Sequence, residues 1–351
     1  MEHAYLHKVK PNILKESITI AMKARRMVMI YGPPGIGKSA VVAEISNDFN
    51  MKLIDLRLSQ IESSDLNGFP DLSGEKADYK PFAMFPLAGD PLPLDENGKE
   101  MNGWTLFLDE FNAAERPTQK AAYKVALDRM IGGLALHDRC LVIGAGNREE
   151  DNALIEEQSS AMVSRLIHLE LLSDAPSWLM WANKAHLDYR VTGYIERNPM
   201  KLNTFNPAVQ SVEMTYPCER TWHFVSDMLK YGTDIDSPAV RALIAGSIGS
   251  GPALDFLNWL KVFEELPSIS DIVQEPNTAK LPEEAGAKFA VAGYISSHAD
   301  EFNFEALLTY MTRMPLEYCV VMMRYLHPRN PALILMPCAT EWLQENGELI
   351  F

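Results

Sequence analysis

The chain reads as an α/β domain built on a parallel sheet with helices on both faces, followed by an all-helical half. Three observations predict this. An apolar strand, Met27 to Tyr31, runs into a glycine-rich loop and straight on into a helical pattern. Strand and helix signals then alternate as far as Leu172, which implies parallel strands joined by helical crossovers and ligands at the C-terminal strand ends. Beyond Leu172 the strand signals stop.

The elements follow in order. Val41, Val42, Ile45 and Phe49 mark the apolar face of the helix after the loop. Lys52 to Arg57 reads as a second strand and Trp104 to Leu108 as a third. Pro117 suits the first turn of a helix that continues through Ala121, Ala122, Val125 and Leu127. Gly132-Gly133 turns a short hairpin, Cys140 to Ala145 is a fourth strand, and Leu166 to Leu172 a fifth. The expected core is therefore a five-stranded parallel sheet within residues 1–172.

Residues 59–103 form a long proline-containing insertion between two strands. Such segments are either functional or structured additions packed on the core. Ser173-Asp174-Ala175-Pro176 reads as a helix start and opens a second domain, 173–351. Helical patterns there cover 220–229, 239–266 (interrupted by Ser250-Gly251-Pro252), 283–297, 304–326 and 331–346, whereas 198–216 reads as a loop.

Composition narrows the function. The 351 residues carry a net charge of −15, which disfavours non-specific attraction to nucleic acid or anionic lipid. Cys140, Cys218, Cys319 and Cys338 are widely spaced, so neither a zinc site nor a disulfide framework is expected. There is no signal-peptide pattern at the N-terminus, and no apolar stretch reaches the ~20 residues of a membrane span. The expectation is a soluble cytoplasmic protein. His3 and His7 have helical spacing but no adjacent third ligand, and read as a solvated tail rather than half a metal site.

The loop is Gly32-Pro33-Pro34-Gly35-Ile36-Gly37-Lys38-Ser39, which fits G-x-x-x-x-G-K-[ST] between a strand and a helix. Glycines let successive backbone N–H groups converge on phosphate oxygens at a helix N-terminus. Lys38 would reach the β- and γ-phosphates, the Ser39 hydroxyl would ligate Mg²⁺, and Ala40 closes the binding segment. About seventy residues on, an apolar strand delivers Asp109 and Glu110 to its C-terminal end. Asp109 would hold Mg²⁺, largely through water, and Glu110 would act as general base on the attacking water. The fourth strand ends in Gly144-Ala145-Gly146-Asn147, and an amide there would face the γ-phosphate.

Together these elements resemble AAA+ ATPases, specifically the MoxR branch, over essentially the whole chain. The Gly32–Ser39 loop resembles that family's Walker A, and Leu106-Phe107-Leu108-Asp109-Glu110-Phe111-Asn112 its Walker B. Gly144-Ala145-Gly146-Asn147-Arg148-Glu149 is similar to the sensor 1 strand, which carries the resemblance onto Asn147. Met162-Val163-Ser164-Arg165-Leu166 is similar to the segment bearing the arginine finger, hence Arg165, and Arg220 matches the sensor 2 arginine of a helical lid. Two departures stand out: Ala113 replaces an arginine common after the Walker B asparagine, leaving Arg116 without an assigned role, and Glu219 stands where many relatives have proline.

The resemblance implies an AAA+ P-loop αβα core with an all-α lid, binding ATP and Mg²⁺. Arg165 would act in trans on a neighbour's nucleotide, which requires a homo-oligomeric ring, a hexamer. The implied work is chaperone-like remodelling of a protein partner, such as one with a von Willebrand A domain. Phe69, Tyr79 and Phe82 of the insertion are either substrate contacts near a ring pore or small core anchors. The alternatives are a DNA- or RNA-associated ATPase, such as a helicase loader or translocase, and a nucleotide-gated scaffold. The acidic charge and the lack of a basic stripe oppose the first; Glu110 and Asn147 oppose the second.

Overall fold

The computed structural model describes residues 6–75, 78–148, 151, 163–208, 214–232 and 234–346. Two units emerge, Met1–Leu172 and Ser173–Phe351. In the first, the order is β1 (His7–Val9), α1 (Pro11–Lys23), β2 (Val28–Tyr31), α2 (Lys38–Asp48), β3 (Met51–Arg57), α3 (Ser63–Asn67), β4 (Phe69–Asp71), β5 (Asp78–Lys80), β6 (Gly103–Asp109), α4 (Arg116–Asp128), β7 (Met130–Ile131), β8 (Leu134–Ala135), β9 (Cys140–Gly146) and β10 (Ile167–Leu171).

Among the described residues the main sheet has the order β1-β10-β2-β9-β6-β3, with every pairing parallel. All of β2 and β9 is buried, as parallel strands covered on both faces require. Alternation along β2 divides the core in two. Val28 and Ile30 pack with Leu14 and Ile18 of α1 and Val42 of α2, while Met29 and Tyr31 face Ala122 and Val125 of α4.

The five expected strands are present, and the sheet has a sixth. β1 pairs with β10 from His7↔Leu169 to Val9↔Leu171. Three residues, two of them exposed, carry too little periodicity to be read as a strand, and an edge position needs only one partner. The chain leaves β2 for the far edge at β3, returns through β6 and β9, and only then crosses to β10. The C-terminal ends of β2, β9 and β6 therefore lie side by side.

The insertion is part anchored and part exposed. Leu66 and Phe85 are buried in the core, and Leu87 bridges to Leu136. The β4–β5 hairpin instead leaves Phe69 and Tyr79 exposed, with Phe69 edge-on to Phe82.

In the second unit every regular element among the described residues is a helix. Asp174 caps the first helix, Ala175–Lys184, by accepting from the Ser177 N–H. The expected helix over 304–326 is two, Phe304–Met311 and Leu316–Arg329, because Pro315 cannot continue the first. Likewise Gly249, at φ +88°, separates Pro238–Ile248 from Ser250–Leu260. Tyr189–Arg197 and Ile269–Gln274 are helices that periodicity did not flag, and Pro199–Lys201 puts a short 3₁₀ turn into the expected loop. Trp222, Tyr194, Phe256 and Trp259 form an aromatic centre. Among the described residues no helix is long and apolar enough to cross a membrane.

Candidate active site

The loop Gly32–Gly37 joins the buried β2 to the first turn of α2. Gly35 and Gly37 take left-handed backbone, φ +80° and +96°, which glycine adopts without a side-chain penalty. A Cβ on Gly32 would lie 3.3 Å from the Leu171 carbonyl oxygen, so the loop's root is tight against β10. Ile36 points into the core, Pro33 and Gly35 are buried, Pro34 is half-buried and Ala40 is exposed on α2.

Lys38 is buried, and its ammonium is folded back over the loop. Nζ donates to the carbonyls of Gly32 (2.6 Å) and Pro33 (3.2 Å) and to Oδ1 of Asn147 (3.2 Å). Next to it the Ser39 hydroxyl donates to Oδ2 of Asp109 at 3.0 Å, which joins α2 to the end of β6. Asp109 Oδ1 accepts from the Glu110 N–H at 2.8 Å. Glu110 sits at φ +54°, a sparsely populated conformation for a residue with a side chain, and its carboxylate accepts from the Ser59 hydroxyl. Asp55 on β3 adds a third carboxyl. Burial first, then the charge of Asp109, raises its pKa, with Glu110 adding to the rise and Arg57 opposing it.

At the end of β9, Asn112 and Asn147 share two hydrogen bonds. Asn112 Nδ2 donates to the Asn147 carbonyl (2.7 Å), and the Asn147 N–H donates to Asn112 Oδ1 (3.1 Å). Asn112 is buried. Gly146 makes room for it, since a Cβ there would stand 2.4 Å from Asn112 Oδ1. One residue on, Arg148 holds two buried carboxylates. Its guanidinium donates to Asp151 Oδ1 (3.0 and 2.6 Å) and to Glu170 Oε1 (3.0 Å).

Lys38, Ser39, Asp109, Glu110 and Asn147 thus meet at the C-terminal ends of β2, β6 and β9. Arg165 does not. It is exposed in the turn before β10, whose first residue, Ile167, pairs with Val28 at the start of β2. That is the opposite end of the sheet from the phosphate loop, about 13 Å along β2 at about 3.3 Å per residue. Arg220 belongs to the second unit, where it is exposed as the second residue of the helix Glu219–Tyr231. The preceding Glu219 is buried, accepting from Ser173 Oγ at 2.5 Å and Asn203 Nδ2 at 2.6 Å. His3, Glu149 and Met162 lie outside the described residues.

Sequence reasoning did not single out Ser59, Asp55, Arg148, Asp151 or Glu170. The signal for Arg148 lay in Asn147-Arg148, an arginine directly after the strand's terminal amide. Its partner Glu170 is 22 residues on, in the interior of β10, so only the sheet order reveals the pair.

Residues 28–169 match the model of the ATPase family associated with various cellular activities (AAA). Comparison with curated protein sequences finds no match. Among solved structures, the chain is similar to the RuvB Holliday junction branch migration motor of Thermotoga maritima, at 16% identity and TM-score 0.36 over 75% of this chain and 74% of that one. It is similar to an ATPase from Cytophaga hutchinsonii at 13% identity and TM-score 0.35, over 91% and 81%. NtrX from Brucella abortus, in complex with ATP, gives 16% identity and TM-score 0.38 over 96% and 67%.

Proposed function

We propose, from the AAA ATPase domain that residues 28–169 form, that this P-loop nucleoside triphosphate hydrolase is a MoxR-type ATPase. On this reading it hydrolyses ATP at sites shared between the subunits of a ring and uses the energy to remodel a protein partner. The observation that carries the reading is the convergence of Lys38, Ser39, Asp109, Glu110 and Asn147 at three adjacent strand ends.

Each residue has a role its surroundings support. Lys38 exchanges its bonds to the Gly32 and Pro33 carbonyls for phosphate oxygens, while the loop's N–H groups and the α2 N-terminus take the remaining charge. Ser39 and Asp109 present two hard oxygens 3.0 Å apart, a donor set suited to Mg²⁺, which is held by one or two protein groups plus substrate phosphates. Held there by Ser39 and Asp109, Mg²⁺ would supply positive charge to the phosphates of the substrate. Glu110 accepts the proton of the attacking water. Asn147, tied to Lys38, orients the γ-phosphate and that water.

Arg165 serves a neighbouring subunit. It lies at the far end of the sheet from its own phosphate loop, so a ring in which this end meets the next subunit's nucleotide gives it a target. An arginine supplied this way is worth roughly 10³–10⁵ in rate. Arg220 responds to the nucleotide from the helical unit, 173–351, which acts as the lid. The exposed Phe69 and Tyr79 are suited to meeting a protein substrate, for which a von Willebrand A domain protein is the partner the resemblance favours.

The test is the Glu110→Gln variant. It should bind ATP with normal affinity, fail to hydrolyse it, assemble as a ring in ATP, and retain a protein partner in that state. Persistent turnover removes Glu110 as the base. Salt-sensitive stimulation of the wild-type ATPase by DNA, with no protein retained, replaces the remodelling reading with nucleic-acid work.

A further inference from the structure

Tyr31, the last residue of β2, is flanked in the sheet by Gly146 of β9 on one side and Glu170 of β10 on the other. Arg148 leaves the end of β9, yet its guanidinium reaches Glu170 Oε1 at 3.0 Å. Because β2 lies between those strands, the ion pair crosses the sheet at the residue from which the phosphate loop departs. The other side of the guanidinium bonds Asp151 Oδ1 at 3.0 and 2.6 Å, and the Arg148 N–H donates to Asp151 Oδ2 at 2.9 Å. The Asp151 side chain is fully buried and that of Glu170 is 5% exposed, with Lys8 3.9 Å from Glu170.

We infer that Arg148 is a positioning residue, a charged bridge across the root of the phosphate loop that holds Asn147 in one geometry. Asn147 is gripped from both sides, by Asn112 at its own backbone and by Arg148 one residue on. Its side chain in turn accepts from Lys38. On the other flank Glu170 adjoins Leu171, whose carbonyl sets the close approach to Gly32. A planar fork satisfying two buried carboxylates, one in the segment after β9 and one on β10, resists displacement in a way that a single point charge on a flexible stem does not. The inference rests on the role given to Asn147 above.

The experiment is a double-mutant cycle on the full chain, with kcat, ATP Kd and Tm measured for Arg148→Lys, Asn147→Ala and the pair. Lysine keeps the charge and so avoids the folding loss expected when a buried ion pair loses one partner outright. Arg148→Lys should lower kcat about 10- to 100-fold, as small misplacements of catalytic groups do, with Kd changed less than about 3-fold. In the Asn147→Ala background the same change should cost less than about 2-fold, because the group it positions is already gone. Glu170→Gln, which keeps the shape and removes the charge, should reproduce the kcat loss.

Full kcat in Arg148→Lys overturns the inference. So do effects that multiply in the pair, because a residue that only stabilises the fold lowers Tm without coupling to Asn147. If Asn147→Ala alone keeps wild-type kcat, it is the role of Asn147 that fails. Arg148→Lys then shows by its own kcat loss that any action is not through that amide, which also overturns the positioning assignment.

Discussion

Asn112 and Asn147 lock together through opposite ends of one side-chain amide, donating at 2.7 Å and accepting at 3.1 Å. The pair ties the segment after Glu110 to the end of the strand that leads to Asn147, so the base and the orienting amide of the proposed mechanism move as one piece. Asn112→Asp keeps the acceptor for the Asn147 N–H but turns a carboxylate oxygen toward the Asn147 carbonyl, in a buried position. The expected result is a kcat loss of about 10-fold or more with ATP Kd within about 3-fold. Gly146→Ala should behave alike, since its Cβ would press on Asn112 Oδ1. Calorimetric titration beside steady-state kinetics checks both; unchanged kcat in either contradicts the coupling.

Lys38 is the buried cation at the loop, held by two of the loop's own carbonyls. Lys38→Ala removes the positive charge meant for phosphate and should raise the ATP dissociation constant at least about 10-fold. A fluorescent ATP analogue in a binding titration reads this directly. An unaltered Kd would count against the phosphate-loop assignment.

Arg165 at the far end of the sheet makes a prediction about mixtures. Arg165→Ala alone should bind ATP normally and lose most turnover. Mixed with Lys38→Ala subunits, which carry an intact Arg165 but a defective loop, part of the activity should return, as the intact halves of two subunits meet. Mixed assemblies that stay inactive across the range of ratios, while still forming rings, would rule out a finger supplied by a neighbour.

Glu219 links pH to stability. Burial lifts its carboxyl from an ordinary 4.5 to about 7, against the hydrogen bonds from Ser173 and Asn203. The folded state therefore keeps a proton that the unfolded chain gives up. The contribution is fully present below about 4.5 and is lost as pH rises to about 7. Glu219→Gln, which cannot ionise, should shrink the fall in Tm between about pH 5 and about pH 8 relative to the wild type. An identical fall in both proteins would show that Glu219 is charged throughout.

Much of the first unit was readable from local pattern. The apolar run Met27–Tyr31 announced a strand, and the glycine-rich loop after it announced a phosphate-binding turn leading into a helix. Asp109-Glu110 closed an apolar run. The edge strand His7–Val9 was not readable, because its burial comes from β10 rather than from its own residues. The break at Thr312–Pro315 was overrun by an apolar pattern that suits two packed helices as well as one. Ser59 and Asp55 gave no motif, because each acts through a partner in another strand or loop, and the reach of Arg148 to Glu170 was hidden for the same reason.

By itself the sequence determined the phosphate loop, its lysine and serine, the paired carboxylates and five strands of the main sheet. Each of these depends on residues adjacent in the chain, where spacing and backbone preference are sufficient. Tertiary structure alone decided which strand ends become neighbours. Parallel pairing joins segments far apart in the chain, and no local period encodes the order β10-β2-β9-β6. That order sets Asn112 against Asn147, carries Arg148 across β2 to Glu170, and leaves Arg165 at the end of the sheet remote from its own loop.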